Sequence, residues 1–188
     1  MRINLVMLAV LAAQLFTAEL LAADPLATFY DGQLTGVEKS IIGLAGAMPA
    51  NKYDFAPTNG AFTGVRTFAQ QAKHLATVMY QVSASALNQK PPVDTGTGEN
   101  GPDSVRTKEQ VLEYLKGAFA FTHKAIATLT AQNQLETVKS PFEGTIPRVF
   151  AASFVTAHSY DHYGQMVVYA RMNGVIPPSS MPAPPKKP

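Results

Sequence analysis

The 188-residue chain contains no Cys, no Trp and only four His. Without Cys there is no disulfide framework, Cys-type zinc site, iron–sulfur cluster, c-type haem attachment or Cys nucleophile. Charge is sparse too: Asp, Glu, Lys and Arg make up 15%, against about 25% in an average globular protein. A formal net charge of +2 gives no basic footprint for nucleic acid. No Glu-x-x-His argues for a di-iron bundle and no His-Glu-x-x-His for a zincin protease. No Gly-rich phosphate loop follows a strand, and no Gly-x-Ser-x-Gly elbow is present. Imidazole, carboxylate, hydroxyl and backbone are what remain for chemistry. The 46% apolar content is enough for a sizeable core and argues against global disorder. The length fits one domain.

The two ends read differently from the middle. Residues 1–23 have the pattern of an export signal: Arg2, then a nearly continuous apolar run from Ile3 to Phe16, then Leu-Leu-Ala-Ala before Asp24. The run is short of the roughly 20 residues of a membrane span, and Glu19 interrupts a longer one. The expected location is therefore the periplasm or the exterior, with no membrane association once the signal is removed. Residues 177–188 hold six of the fourteen prolines and are expected to form an extended, solvated tail.

Residues 24–176 read as an all-α four-helix bundle with a long connection between helices 1 and 2. The first helix spans about Pro25 to Ala47, with Leu26, Phe29, Leu34, Val37, Ile41, Leu44 and Ala45 on one face. The second spans about Val65 to Gln89, with a stripe of Phe68, Ala72, Leu75, Met79, Val82 and Ala86. The third spans about Thr107 to Gln132, with a stripe of Val111, Leu115, Ala118, Thr122, Ile126 and Leu129. Thr107 and Gln110 at its start form a capping-box signature. The fourth spans about Pro147 to Asn173, between a first-turn Pro and the stop Gly174. Nothing between the helices reads as a sheet.

The fourth helix carries the chemistry. Ala151, Val155, His158, His162, Gln165, Tyr169 and Met172 alternate steps of four and three, so three successive positions of the inward stripe are polar. Burying such groups without partners costs on the order of 1–3 kcal/mol each. His158 and His162 project from one face a turn apart, the spacing for two ligands on one metal. Gln165, one turn further on, is placed to hydrogen-bond a ligand or a bound water. Asp161, at the edge of the same face, suits a supporting contact to a ligand or a base. A third ligand has two sources, His74 at the border of the second helix's stripe and His123 off the third's. Spacing does not choose between them. Tyr53, Tyr160, Tyr163 and Tyr169 read as packing residues.

Three segments together resemble the DinB/YfiT-like family of four-helix metal-binding proteins. They are Met48 to Pro57, Thr67-Phe68 running on to His74-Leu75, and the last-helix motif His-x-x-x-His-x-Gly-Gln at His158 to Gln165, continued by Tyr169 to Gly174. The resemblance implies that His74, His158 and His162 form a three-His site and that His123 stands outside it. Three neutral imidazoles leave open positions on a metal, as in catalytic rather than structural sites. Imidazole donors favour a divalent transition metal, with Zn and Ni foremost. Some members of the family are thiol-dependent S-transferases or isomerases. The expectation is an exported metal-dependent enzyme with hydrolase or thiol-type transferase chemistry on an unidentified small molecule, able to form a homodimer. The alternative is a non-catalytic metal-binding or helical interaction bundle.

Overall fold

The structure, a computed structural model, describes residues 23–182. The expected export signal, apart from Ala23, lies outside the described residues. Among the described residues four helices form an all-α bundle, as expected: α1 Pro25–Ala47, α2 Phe68–Ala86, α3 Lys108–Ile126 and α4 Arg148–Met172. Their starts are set locally. The Asp24 carboxylate accepts from the Leu26 amide at 2.8 Å, with Pro25 in the first turn. Both α2 and α3 begin with complete capping boxes, Thr67 with Gln70 and Thr107 with Gln110. The first of these starts α2 at Phe68 rather than at Val65.

α3 stops at Ile126, short of the expected Gln132. Polar side chains take over the backbone there. Thr128 Oγ1 donates to the Ala125 carbonyl, Asn133 Nδ2 donates to the Thr128 carbonyl, and Thr130 and Asn133 cap each other's amides. A short antiparallel hairpin follows where no sheet was expected: β1 Thr137–Lys139 pairs with β2 Thr145–Pro147, Val138 opposite Ile146. Three residues per strand are too few to show an alternating pattern. The segment leading into the hairpin supplies what Pro147 lacks as a cap: the Glu136 and Gln134 carbonyls accept the Arg148 and Val149 amides at 3.0 Å each.

Cross-helix contacts fix the directions. Asp24 meets the Ala131 amide while Lys108 reaches the Gly46 and Met48 carbonyls, so α1 and α3 are antiparallel. Thr77 pairs with Tyr114 and Ser83 with Thr122, so α2 and α3 are parallel. Gln71 meets Gln165 while the far end of α2, at the Ala86 carbonyl, meets Arg148, so α2 and α4 are antiparallel. Each helix has two neighbours, in the cyclic order α1, α3, α2, α4. Two consecutive parallel helices require a return along their whole length, about 28 Å for 19 residues. The segment 87–107 makes that return along α2. It is seated by Gly101 (φ 73°), where any Cβ would come within 3.0 Å of Thr77 Oγ1 and 3.1 Å of Lys73 Cβ.

The expected stripes of α2 and α3 are buried throughout. Two others are corrected. On α1, Phe29 is exposed and Ala27 takes the inward position. On α4, the buried line runs through Ala152, Val155, Ser159, His162, Met166 and Tyr169, so Gln165 lies on its flank and Met172 is exposed. α2 lies between α3 and α4 and is covered on two sides, which draws the polar Gln71 and His74 inside. Among the described residues no helix is long and apolar enough to cross a membrane. The start of the segment expected to be a solvated tail is docked instead. Pro177 is buried, a 3-10 turn at Pro178–Ser180 packs on α1, and Ser179 and Ser180 bond Tyr163 and Arg171 of α4.

Candidate metal centre

His74 on α2 and His158 and His162 on α4 meet across the antiparallel pair. His158 Nε2 lies 3.3 Å from His74 Nε2 and 3.0 Å from His162 Nε2. The outer ring nitrogens are held from behind. His74 Nδ1 contacts the Glu99 carbonyl at 2.6 Å. A carbonyl only accepts, so Nδ1 carries the proton and Nε2 presents a lone pair. The Glu99 carbonyl is delivered by the 87–107 return segment, where Arg66 also binds the Glu99 carboxylate at 2.6 Å and Asn100 at 2.8 Å.

His162 is held by a longer chain of bonds. Its Nδ1 meets Gln71 Oε1 at 2.5 Å, Gln71 Nε2 donates to Gln165 Oε1 at 2.9 Å, and Gln165 Nε2 donates to Asp161 Oδ2 at 3.3 Å. An ionised carboxylate is acceptor-only, so Asp161 sets the sense of every bond in the series. That sense makes His162 Nδ1 a donor and leaves its Nε2 lone pair facing the other two rings. His158 is clamped differently: it stacks on Phe154, centroids 5.3 Å apart at 15°. Its Nδ1 is buried with no partner among the described residues.

Burial keeps these rings neutral. Desolvation, reinforced by the mutual repulsion of the imidazoles, pushes His158 and His162 down to about 4. His74 is lowered by desolvation as well, against the opposing pull of the Glu99 carbonyl. Two Nε2 lone pairs fixed toward a third imidazole at about 3 Å define a focus that a shared cation, or the Nε2–H of a neutral His158, fills.

The three donors fit one metal ion. One ligand atom from each ring lies within 4.8 Å of the others. Zn–N bonds of about 2.0–2.1 Å at tetrahedral angles require nitrogens about 3.3 Å apart, close to the spacings observed. The Nδ1–H contacts to a carbonyl and an amide oxygen are the outer support that metal-bound imidazoles usually have.

The family description that matches the chain is the DinB superfamily, over residues 33–166. The chain belongs to the DinB superfamily. Among solved structures it is similar to a DinB-like protein from Bacillus cereus, with a TM-score of 0.62 and 14% identity, over 79% of this chain and 93% of the other. At that identity the likeness speaks to the fold. A comparison with curated proteins finds no match.

In this DinB-superfamily chain the structure thus brings His74, His158 and His162 together. It places Gln165 half-buried beside them and Asp161 exposed at the rim, tied to the ligands through Gln71 rather than directly. His123 lies elsewhere, with Nδ1 2.5 Å from Asp31 and Nε2 3.1 Å from Glu38 of α1. With carboxylates on opposite sides of its ring, it braces α1 to α3 and shares no focal point with them.

Sequence reasoning missed Gln71, Glu99 and Phe154. Gln71 is one turn before His74 and Phe154 one turn before His158, so helical spacing carried a signal for both. Glu99 acts through its backbone, which no residue type encodes.

Proposed function

We propose that this chain is an exported, metal-dependent enzyme of the DinB superfamily, with His74, His158 and His162 holding a divalent transition metal, Zn or Ni. The observation that carries the reading is the convergence of three Nε2 atoms, two of them presenting lone pairs because Nδ1–H donates to Glu99 and Gln71. A metal bound by three neutral imidazoles keeps its full charge and an open position, and can acidify a bound water or thiol or polarise a substrate. Hydrolysis and thiol-type group transfer are the reaction classes that this chemistry serves.

The chain's own residues then have distinct tasks. Gln71 and the Glu99 carbonyl hold the ligand rings in register. Gln165 and Asp161 stand at the rim, where Asp161 offers an ionised carboxylate to accept a proton from an incoming nucleophile and Gln165 orients that carboxylate. The apolar stack of Phe154 on His158 shields one flank from water.

The test is metal analysis of purified protein beside His158→Ala, His162→Ala and, as a control, His123→Ala. About one metal per chain is expected in wild type and in the control, and loss in the other two. Retention of metal in both site variants overturns the reading. Metal loss with an intact, stable bundle supports an open functional site. Metal loss with melting supports a bracing role for the metal instead, because the ligands join α2 to α4. Substrate screening of hydrolysable esters and amides, and of thiols with an electrophile, follows the first outcome. Export is checked by the mass of the secreted protein, where an intact 1–23 segment refutes it. Homodimerisation is checked by light scattering.

A further inference from the structure

α4 presents Phe150, Phe154 and His158 at four-residue steps, and their rings form a continuous stack. Phe150 and Phe154 lie 5.4 Å apart at 22°, Phe154 and His158 5.3 Å apart at 15°. The β1–β2 hairpin adds Phe142 from its turn, edge-on to Phe154 at 5.9 Å. Phe154 packs on the core, but Phe142 is 58% and Phe150 41% exposed. Packing of the hairpin accounts for Phe154 and in part for Phe142. It does not account for an exposed ring at Phe150 aligned with the others.

The stack ends on a metal ligand, which distinguishes it from scattered surface apolar residues. Along α4 the site has two unlike flanks. Asp161 lies between the two ligand positions and Gln165 one turn beyond His162; one turn before His158 lies Phe154, and beyond it Phe150, with Phe142 added from the hairpin. His158 Nδ1 is buried and has no partner among the described residues. A molecule whose polar head reached the open position could place its remaining part against either polar groups or flat rings.

We propose that Phe142, Phe150 and Phe154 form the substrate subsite for an aromatic or flat apolar group carried beside a metal-binding head. This rests on the reading of the three-His group as an open metal site. Exposed aromatic faces favour a ring over an alkyl chain, because offset and edge-on ring pairs gain interaction beyond their buried area.

The experiment compares two chelators with the same head, acetohydroxamate and benzohydroxamate, titrated calorimetrically into the zinc-loaded full chain. The expected result is a preference for benzohydroxamate of roughly 2- to 12-fold over that seen with free zinc, the range of one aromatic pair. The double variant Phe142→Ser/Phe150→Ser, both at exposed positions, is expected to lose that preference while acetohydroxamate binding is unchanged. Phe154→Leu, which keeps apolar volume but no ring, is expected to lose it as well. If both chelators bind and the double variant keeps the full preference, the subsite is overturned while the metal site stands. The same holds if the double variant converts a dimer to a monomer by light scattering without altering the preference, since the rings then serve a second copy of the chain. If zinc is bound but neither chelator binds, the open-site reading fails and this inference falls with it.

Discussion

Gln71 is the residue through which the reasoning is most exposed to refutation. It is 2% exposed, and its side chain joins His162 on one side to Gln165 on the other. In Gln71→Met the length and flexibility of the side chain are nearly kept and both hydrogen-bonding groups are lost. Without metal, His162 can move its proton to Nε2 and share it with His158, so the metal-free fold loses little. With metal, Nε2 is committed, and Nδ1–H is left buried without an acceptor. An unsatisfied buried donor costs about 1–3 kcal/mol. The loss therefore falls on the metal-bound state. The affinity should drop by about 10- to 100-fold, the usual effect of removing a partner behind a metal-bound imidazole, or about 1.4–2.7 kcal/mol. Competition with a chromophoric chelator near neutral pH measures it, with circular dichroism confirming that the helices are intact. Gln71→Glu retains an acceptor, now charged, and should bind metal at least as tightly as wild type. A folded Gln71→Met protein whose affinity stays within about threefold of wild type refutes the orienting role.

Gly101→Ala forces a Cβ into the left-handed region and against Lys73 and Thr77. It should destabilise the fold by about 1–2 kcal/mol in denaturant melts, and it should weaken metal binding because the displaced segment carries the Glu99 carbonyl. The folded-state pKa values of His158 and His162, about 4 against 6.5 when unfolded, make the metal-free fold stable above 6.5 and progressively less stable as pH falls toward 4. Urea melts with a chelator present should show that slope in wild type and a flatter one in His158→Gln/His162→Gln; equal slopes contradict it. For His123 the sign is opposite. Burial lowers its pKa, but the bonds to Asp31 and Glu38 outweigh burial and raise it above 6.5. Its contribution is therefore full below 6.5 and is lost as pH rises through the folded value. The stability gap between wild type and His123→Ala should shrink as pH rises above 6.5, and a widening gap counts against the pairing.

Much of the bundle was legible because helical periodicity and local capping are written in neighbouring residues. The stripes of α2 and α3 and the box at Thr107 needed no tertiary information. The errors came where local and long-range forces compete. α3 ends early because Thr128, Thr130 and Asn133 satisfy the backbone better than another turn would. The hairpin at 137–147 is too short to be periodic, and the chain entering it is held where the Gln134 and Glu136 carbonyls accept amides of α4. The inward line of α4 shifted by one residue, from Gln165 to Met166, because α4 must face both α1 and α2 and a single stripe describes neither contact alone.

For the site, the His158–His162 pair was determined by the sequence itself, since a four-residue step on a helix places two side chains on one face whatever surrounds it. The choice of His74 over His123 was not. Those two residues lie on parallel neighbouring helices at similar distances from their stripes, and periodicity treats them alike. Only the packing decided. α2 lies antiparallel to α4 and aims His74 at the pair, whereas α3 faces α1 and turns His123 to Asp31 and Glu38. The absence of Cys removed thiolate and left imidazole as the donor best suited to a divalent transition metal, and the sequence determined that much. Which imidazoles share a focus, and that Gln71 and a backbone carbonyl orient two of them, depended on contacts between segments up to 94 residues apart, and such distances are set by the fold.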